Sequence, residues 1–172
     1  MSQASKYVHW CLTKAQKEIE DCKKLGKRQK HRGLLKTDPD IEEAKKHLAK
    51  AEHNLEGITK FKEIEFSDWS MSAGFYCIYH CFLAIAVRFG YESANQTCTI
   101  SLMRFLKEEN KISLDEKFIE LLEYEEMENS VIDLREDYTY GVYISVKDET
   151  KLDKLKRTCK EMVDITKEIV HF

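Results

Sequence analysis

The sequence predicts an all-α fold: an antiparallel, up-and-down helical bundle with accessory helices, in one domain over residues 1–172. Three observations lead there. One proline, Pro39, and six glycines in 172 residues leave too few turn-formers for an all-β domain. Apolar residues recur three and four apart along most of the chain, the spacing that lines one face of a helix. A content of 42% hydrophobic and 34% charged residues suits a real core under a charged surface and argues against global disorder.

Taken in order, Val8, Cys11, Leu12, Ala15, Ile19, Cys22 and Leu25 place a long amphipathic helix from Ser5 to about Lys30, broken by Gly33. Thr37-Asp38-Pro39-Asp40 reads as a helix start. A second helix follows from about Asp40 to Phe61, with Ile41, Ala44, Leu48, Ala51, Leu55 and Ile58 as its seam. Ser67-Asp68 reads as the cap of a third helix, Trp69 to about Phe89, apolar on most sides and stopped by Gly90. Asn95 or Thr97 starts a fourth. Ser113-Leu114-Asp115-Glu116 has capping-box spacing and opens a fifth helical stretch, from Leu114 to about Glu136, with a break near Asn129. Gly141 ends it. Val142 to Val146 has an extended pattern but no evident strand partner. Leu152, Leu155, Cys159, Met162, Ile165 and Ile169 stripe a last helix between Asp148 and Ile169.

Composition also limits function. The longest apolar run, Phe75 to Phe89, is interrupted by His80 and reads as a core helix too short and polar for a membrane span. The N-terminus lacks a signal-peptide core, so the expectation is a cytoplasmic protein with no membrane partner. The six cysteines are therefore expected as reduced, buried thiols. Cys77, His80 and Cys81 cluster on one helix, yet no second ligand pair accompanies them, so no metal or other cofactor is expected. Lys23, Lys24, Lys27, Arg28, Lys30, Arg32 and Lys36 form a basic stretch, and Glu108 to Asp137 is strongly acidic. The ordinary reading is a solvated helix end and a solvated helix face. The alternatives are an RNA-facing patch or a self-complementary contact.

The most informative segment is Ser67-Asp68-Trp69-Ser70-Met71-Ser72-Ala73-Gly74-Phe75-Tyr76-Cys77-Ile78-Tyr79-His80-Cys81. It resembles the core helix of the HEPN family of small helical bundles, in which paired aromatics precede a small residue and a further aromatic. Ala51 to Leu55, Tyr91 to Gln96, and Leu134-Arg135-Glu136-Asp137-Tyr138-Thr139-Tyr140-Gly141 also resemble that family, the last matching its Arg-x(4–6)-His segment. The likeness runs roughly from Asp40 to Ile169.

The resemblance implies a homodimer. In active members an arginine and a histidine from each protomer meet in an interface cleft and cut RNA without a metal. A histidine near its pKa takes a proton from the ribose 2′-hydroxyl, and an arginine holds the phosphate. Here Arg135 is present, but no histidine stands four to seven residues after it. Tyrosine, with a pKa near ~10, is a poor base at neutral pH. The resemblance therefore implies a nucleotide- or RNA-binding module, or a partner of a small nucleotidyltransferase as in toxin–antitoxin pairs, with little or no ribonuclease activity. In some such pairs a tyrosine near the motif is modified with AMP, and Tyr138 and Tyr140 occupy comparable positions. Arg135, Tyr138 and Tyr140 are the candidate ligand-binding residues. The rival expectation is a metal-independent ribonuclease in which Arg135 binds phosphate and Tyr138, Tyr140 or Asp137 assists. A purely structural dimerisation domain is a third. Each residue also has a plainer role: Arg135 as a surface partner of Asp133 or Glu136, Tyr138 and Tyr140 as packing residues, Tyr76, Tyr79 and His80 as core.

Overall fold

Helix α3 (Ser67–Arg88) is apolar nearly all round, and such a helix must be covered on most sides. In a computed structural model, which describes residues 2–123 and 131–172, fourteen of its 22 residues are buried. By length and composition α3, which extends beyond the apolar run from Phe75, is apolar enough to cross a membrane. Instead, 72% of its apolar window is buried inside the protein.

The cover comes from α2 (Ile41–Glu63), α4 (Gln96–Glu108), α6 (Val131–Tyr140) and α7 (Glu149–His171). Helix α2 starts where Asp40 accepts the amide of Glu43, and α4 where Asn95 accepts that of Cys98. Helix α7 buries the expected stripe of Leu152, Leu155, Cys159 and Met162 against α3 and α2. The first helix, α1 (Gln3–Lys24), lies outside this packing and buries Ala4, Val8, Cys11 and Ala15, chiefly over α4.

Several expectations need correction. Helix α1 ends at Lys24, not near Lys30. Gly26 adopts φ +60°, and the amides of Gly26 and Lys27 bond back to the carbonyls of Lys23 and Cys22, closing the helix in a Schellman turn. The basic stretch is therefore mostly loop. That loop leads to β1 (Leu34–Lys36), which pairs antiparallel with β2 (Tyr91–Ser93), Leu35 opposite Glu92. Neither three-residue strand has a long enough alternation to be seen in sequence. Ser67 is not the cap of α3. It is the first helical residue, and its hydroxyl accepts the buried amide of Val146 at 2.8 Å. Asp115 rather than Ser113 caps the short α5 (Glu116–Glu120). The stretch expected as one helix to Glu136 is thus α5 and, later, α6. The expected break near Asn129 and part of the acidic stretch lie outside the described residues.

The thiols are also corrected. Cys11 and Cys98 form a disulfide with Cα atoms 6.0 Å apart, while Cys22, Cys77, Cys81 and Cys159 are free. Cys11 lies on the buried stripe of α1 and Cys98 in the first turn of α4, so the packing of those two helices brings the sulfurs together. Eighty-seven residues separate them, and nothing local in the sequence marks the pair.

Candidate functional site on the α3–α6 face

The two segments that carry the resemblance meet. Helix α6 runs antiparallel to α3, with the Thr139 and Ser72 hydroxyls 2.9 Å apart and the Arg135 guanidinium over the ring of Phe75. The guanidinium carbon lies 4.5 Å from the ring centroid. Phe75 itself is buried, meets Tyr76 edge-on at 5.1 Å and stacks with Tyr79 at 6.0 Å. The aromatic run thus forms a platform whose upper ring carries the arginine. A cation on a desolvated ring gains about 2 kcal/mol at the favourable end.

Arg135 is largely buried, its side chain 15% exposed. One terminal nitrogen donates to Glu136 Oε1 at 3.2 Å. Its Nε is buried with no hydrogen-bond partner among the described residues. A buried donor without an acceptor costs about 1–3 kcal/mol, and that cost is relieved by any acceptor that enters. A planar guanidinium with an open Nε edge suits a phosphate or carboxylate oxygen. The Glu136 carboxylate beside it competes with an incoming anion.

The other sequence candidates divide. Tyr138 is three residues from Arg135, on the same side of α6. It is half-buried, with its ring 5.7 Å from that of Tyr143. Burial, then the neighbouring Tyr143, Asp137 and Asp148, push its hydroxyl pKa above the ordinary 10. That direction leaves it still less ionised, and so less available as a base, at neutral pH. Tyr140 is five residues on, about 140° round the helix, and points out into solvent. Asp137 is exposed. The structure therefore places Tyr138 beside Arg135 and turns Tyr140 away.

A second polar feature lies further along α3. His80 Nδ1 is 3.1 Å from Nδ1 of His47 on α2. One ring must donate and the other accept, so at least one is neutral. Burial, then His47 and Lys50, lower His80 to about 4, and burial also lowers His47. His80 is thus a paired histidine of the half-buried interior. Nothing local in the sequence marks His47, which follows Lys45 and Lys46 in an exposed-looking run. Nor does any local pattern pair Phe75 with Arg135, sixty residues away.

No curated protein matches the sequence. A family model described as the HEPN domain matches residues 44–172, from early α2 to the end of α7, and includes both the aromatic platform and Arg135. That match covers most of the chain and agrees with the helical fold: the chain belongs to the HEPN domain family.

Proposed function

We propose that this protein is a HEPN module that binds nucleotide or RNA through Arg135 and has little or no ribonuclease activity. The observation that carries the reading is the arginine itself: over the Phe75 ring, largely buried, with Nε unpartnered among the described residues. Binding an anion needs charge and fork geometry. Strand cleavage needs in addition a proton acceptor with a pKa near neutrality. Tyr138, the nearest candidate, is shifted the wrong way.

A homodimer through this face belongs to the same reading. Trp69 and Tyr76 on α3, and Tyr140, Val142, Tyr143 and Ile144 at and beyond the end of α6, are all exposed. Large apolar side chains grouped this way favour a covering surface. A second copy would bring a second Arg135 to the same cleft, in keeping with two-fold association. A cytoplasmic location, and a small nucleotidyltransferase as partner with Tyr138 or Tyr140 as acceptor of AMP, complete the proposal. Of the two tyrosines, Tyr140 has the accessible ring.

The test is titration with AMP and with short RNA, alongside RNA incubation in EDTA. Arg135→Ala is expected to weaken binding at least about tenfold, the loss of one charged hydrogen-bonding group, while the protein stays folded. Turnover in EDTA that disappears with Arg135→Ala would instead establish the ribonuclease reading. Unchanged binding in that variant would remove Arg135 from the site. Light scattering at micromolar concentration decides the dimer, a monomer mass being the adverse result.

A further inference from the structure

We infer that the outer face of α1 and the loop after it form a separate binding surface for single-stranded nucleic acid, independent of Arg135. The surface precedes the residues matched by the HEPN model.

Residues 23–36 hold seven of the chain's 28 basic side chains, Lys23, Lys24, Lys27, Arg28, Lys30, Arg32 and Lys36, and none of its 31 acidic ones. All seven are exposed. Among the described residues, Lys23, Lys27, Arg28, Lys30 and Arg32 have no ion pair. Lys24 reaches Asp21 at 3.9 Å, and Lys36 lies over the ring of Tyr91 at 5.9 Å. Some cations elsewhere are paired at short range, such as Lys45 with Glu42 and Lys46 with Glu43, both at 2.8 Å. A cluster of cations left without counter-charges maintains a local positive potential that attracts a polyanion.

The loop is held rather than loose. Its first residues close the Schellman turn on α1. The Arg32 amide donates to Glu18, Cys22 Sγ to the carbonyl of Lys30, and Ala94 N–H to the carbonyl of Gly33. His31 meets Glu92 at 3.1 Å. Gly33 presses on α1 so closely that a Cβ there would stand 2.3 Å from the carbonyl oxygen of Cys11. The backbone that carries the cations is therefore held in place, which lowers the ordering cost of binding.

The same helix carries an aromatic end. Trp10 is half exposed, Tyr7 lies 5.2 Å from it, and Lys14 sits over the Trp10 ring at 5.1 Å. Trp10, Lys14, Lys17 and Lys24 follow one another at helical spacing on one side of α1, over about 21 Å. Asp21 interrupts that line, and Glu20 flanks it. The carboxylates near Tyr7 are engaged, Glu108 by Ser2 and Glu123 by Arg104. An exposed ring at one end of a basic track is the combination that stacks a base and follows a phosphate backbone. A membrane surface fits less well. Leu25 is the single large, strongly exposed apolar side chain in the loop, too little to anchor in lipid.

The probe is a fluorescein-labelled oligouridine about 20 nucleotides long, read by anisotropy between about 50 mM and about 200 mM salt. The triple variant Lys27→Gln, Arg28→Gln, Lys30→Gln should lose at least about tenfold in affinity and reduce the salt slope by about 2. Trp10→Ala should lose about fivefold or more with the slope unchanged. Lys45→Gln with Lys46→Gln, removing paired cations, should change affinity less than about twofold. The loop triple should leave AMP affinity within about twofold, while Arg135→Ala weakens AMP binding, so this proposal and the Arg135 reading fail separately. Circular dichroism checks that the exposed substitutions leave the helices intact. Equal affinity of the loop triple and the unaltered protein would overturn the proposal. So would oligonucleotide binding that vanishes only with Arg135→Ala, or binding to phosphatidylserine vesicles that the triple abolishes while the oligonucleotide never binds.

Discussion

Of the cations that sit over aromatic rings in this protein, two do so in opposite surroundings. Arg135 lies 4.5 Å from the centre of Phe75, a ring 2% exposed, and Lys14 lies 5.1 Å from the centre of Trp10, a ring 50% exposed. The geometry is nearly the same, and the consequences differ. Over Phe75 little water competes for the charge, and the buried Nε has no hydrogen-bond partner among the described residues. Over Trp10 the lysine is half-buried beside a ring open to water, and it contributes field more than geometry. Burial converts a charge into a directional contact, while exposure leaves it as one member of an electrostatic patch.

The largest way to break the comparison is to remove each ring. Phe75→Ala should cost about 3–5 kcal/mol in urea unfolding, since a buried phenyl leaves a cavity under α6. Trp10→Ala should stay within about 0.5 kcal/mol, as surface changes generally do. Similar losses for the two variants would mean that Trp10 is covered in solution, for instance by a second copy.

Next comes the tether. Helix α1, which carries Trp10 and Lys14, is joined to α4 by Cys11–Cys98. Closing a long loop in the unfolded chain is worth about 2–4 kcal/mol. Reduction, or Cys11→Ser with Cys98→Ser, should lower stability by that amount and loosen α1 first, seen as faster hydrogen exchange in α1 than in α3. Unchanged stability on reduction, with six titratable thiols beforehand, would show that the two cysteines are not bonded in solution.

Acid should separate the regions by a smaller margin. His47 and His80 both have folded pKa values lowered from 6.5, His80 to about 4. The unfolded chain then binds more protons between about pH 6.5 and pH 4. The stability the pair contributes is complete above that window and is lost as pH falls through it. Because the rings are part-buried, the loss for His80 is on the order of 1–2 kcal/mol after solvent screening. Urea midpoints at pH ~7 and ~5 should converge for His80→Leu relative to the unaltered protein. An identical pH dependence in the two would remove the histidine pair as its cause.

Much of the fold was legible because helical periodicity is local. The seams of α2 and α7, the all-round apolarity of α3 and the Asn95 cap each follow from residues within one element. What stayed hidden depends on residues far apart in the chain. The β1–β2 ribbon, the Cys11–Cys98 bond, and the meeting of His47 with His80 all require the tertiary fold. The end of α1 is local too: Gly26, at φ +60°, is the C-terminal stop, seven residues before the Gly33 that the long periodic run suggests. For the site, Arg135 and the aromatic run were each visible, but their contact was not. Tyr138 and Tyr140 look equivalent in sequence, yet two residues of helical rotation send one toward the interior and the other into water.

The smallest effect is the coupling between each cation and its ring, and it isolates what burial does. A double-mutant cycle with Phe75→Leu and Arg135→Met keeps apolar volume while removing ring face and charge separately. The matching cycle uses Trp10→Leu and Lys14→Met. The buried pair should couple by about 1–2 kcal/mol and the exposed pair by about 0.5 kcal/mol or less. Raising salt should diminish the exposed coupling more than the buried one, because screening acts through solvent. Arg135→Met alone has two opposing parts: it gives up the ring contact and the Glu136 pair, and it relieves a buried N–H that lacks an acceptor. Its net cost should therefore be smaller than the measured coupling with Phe75. A net cost well above that coupling would mean that Arg135 holds the fold together through contacts beyond the ring. Its open Nε would then be an incidental feature and not a place kept for a ligand.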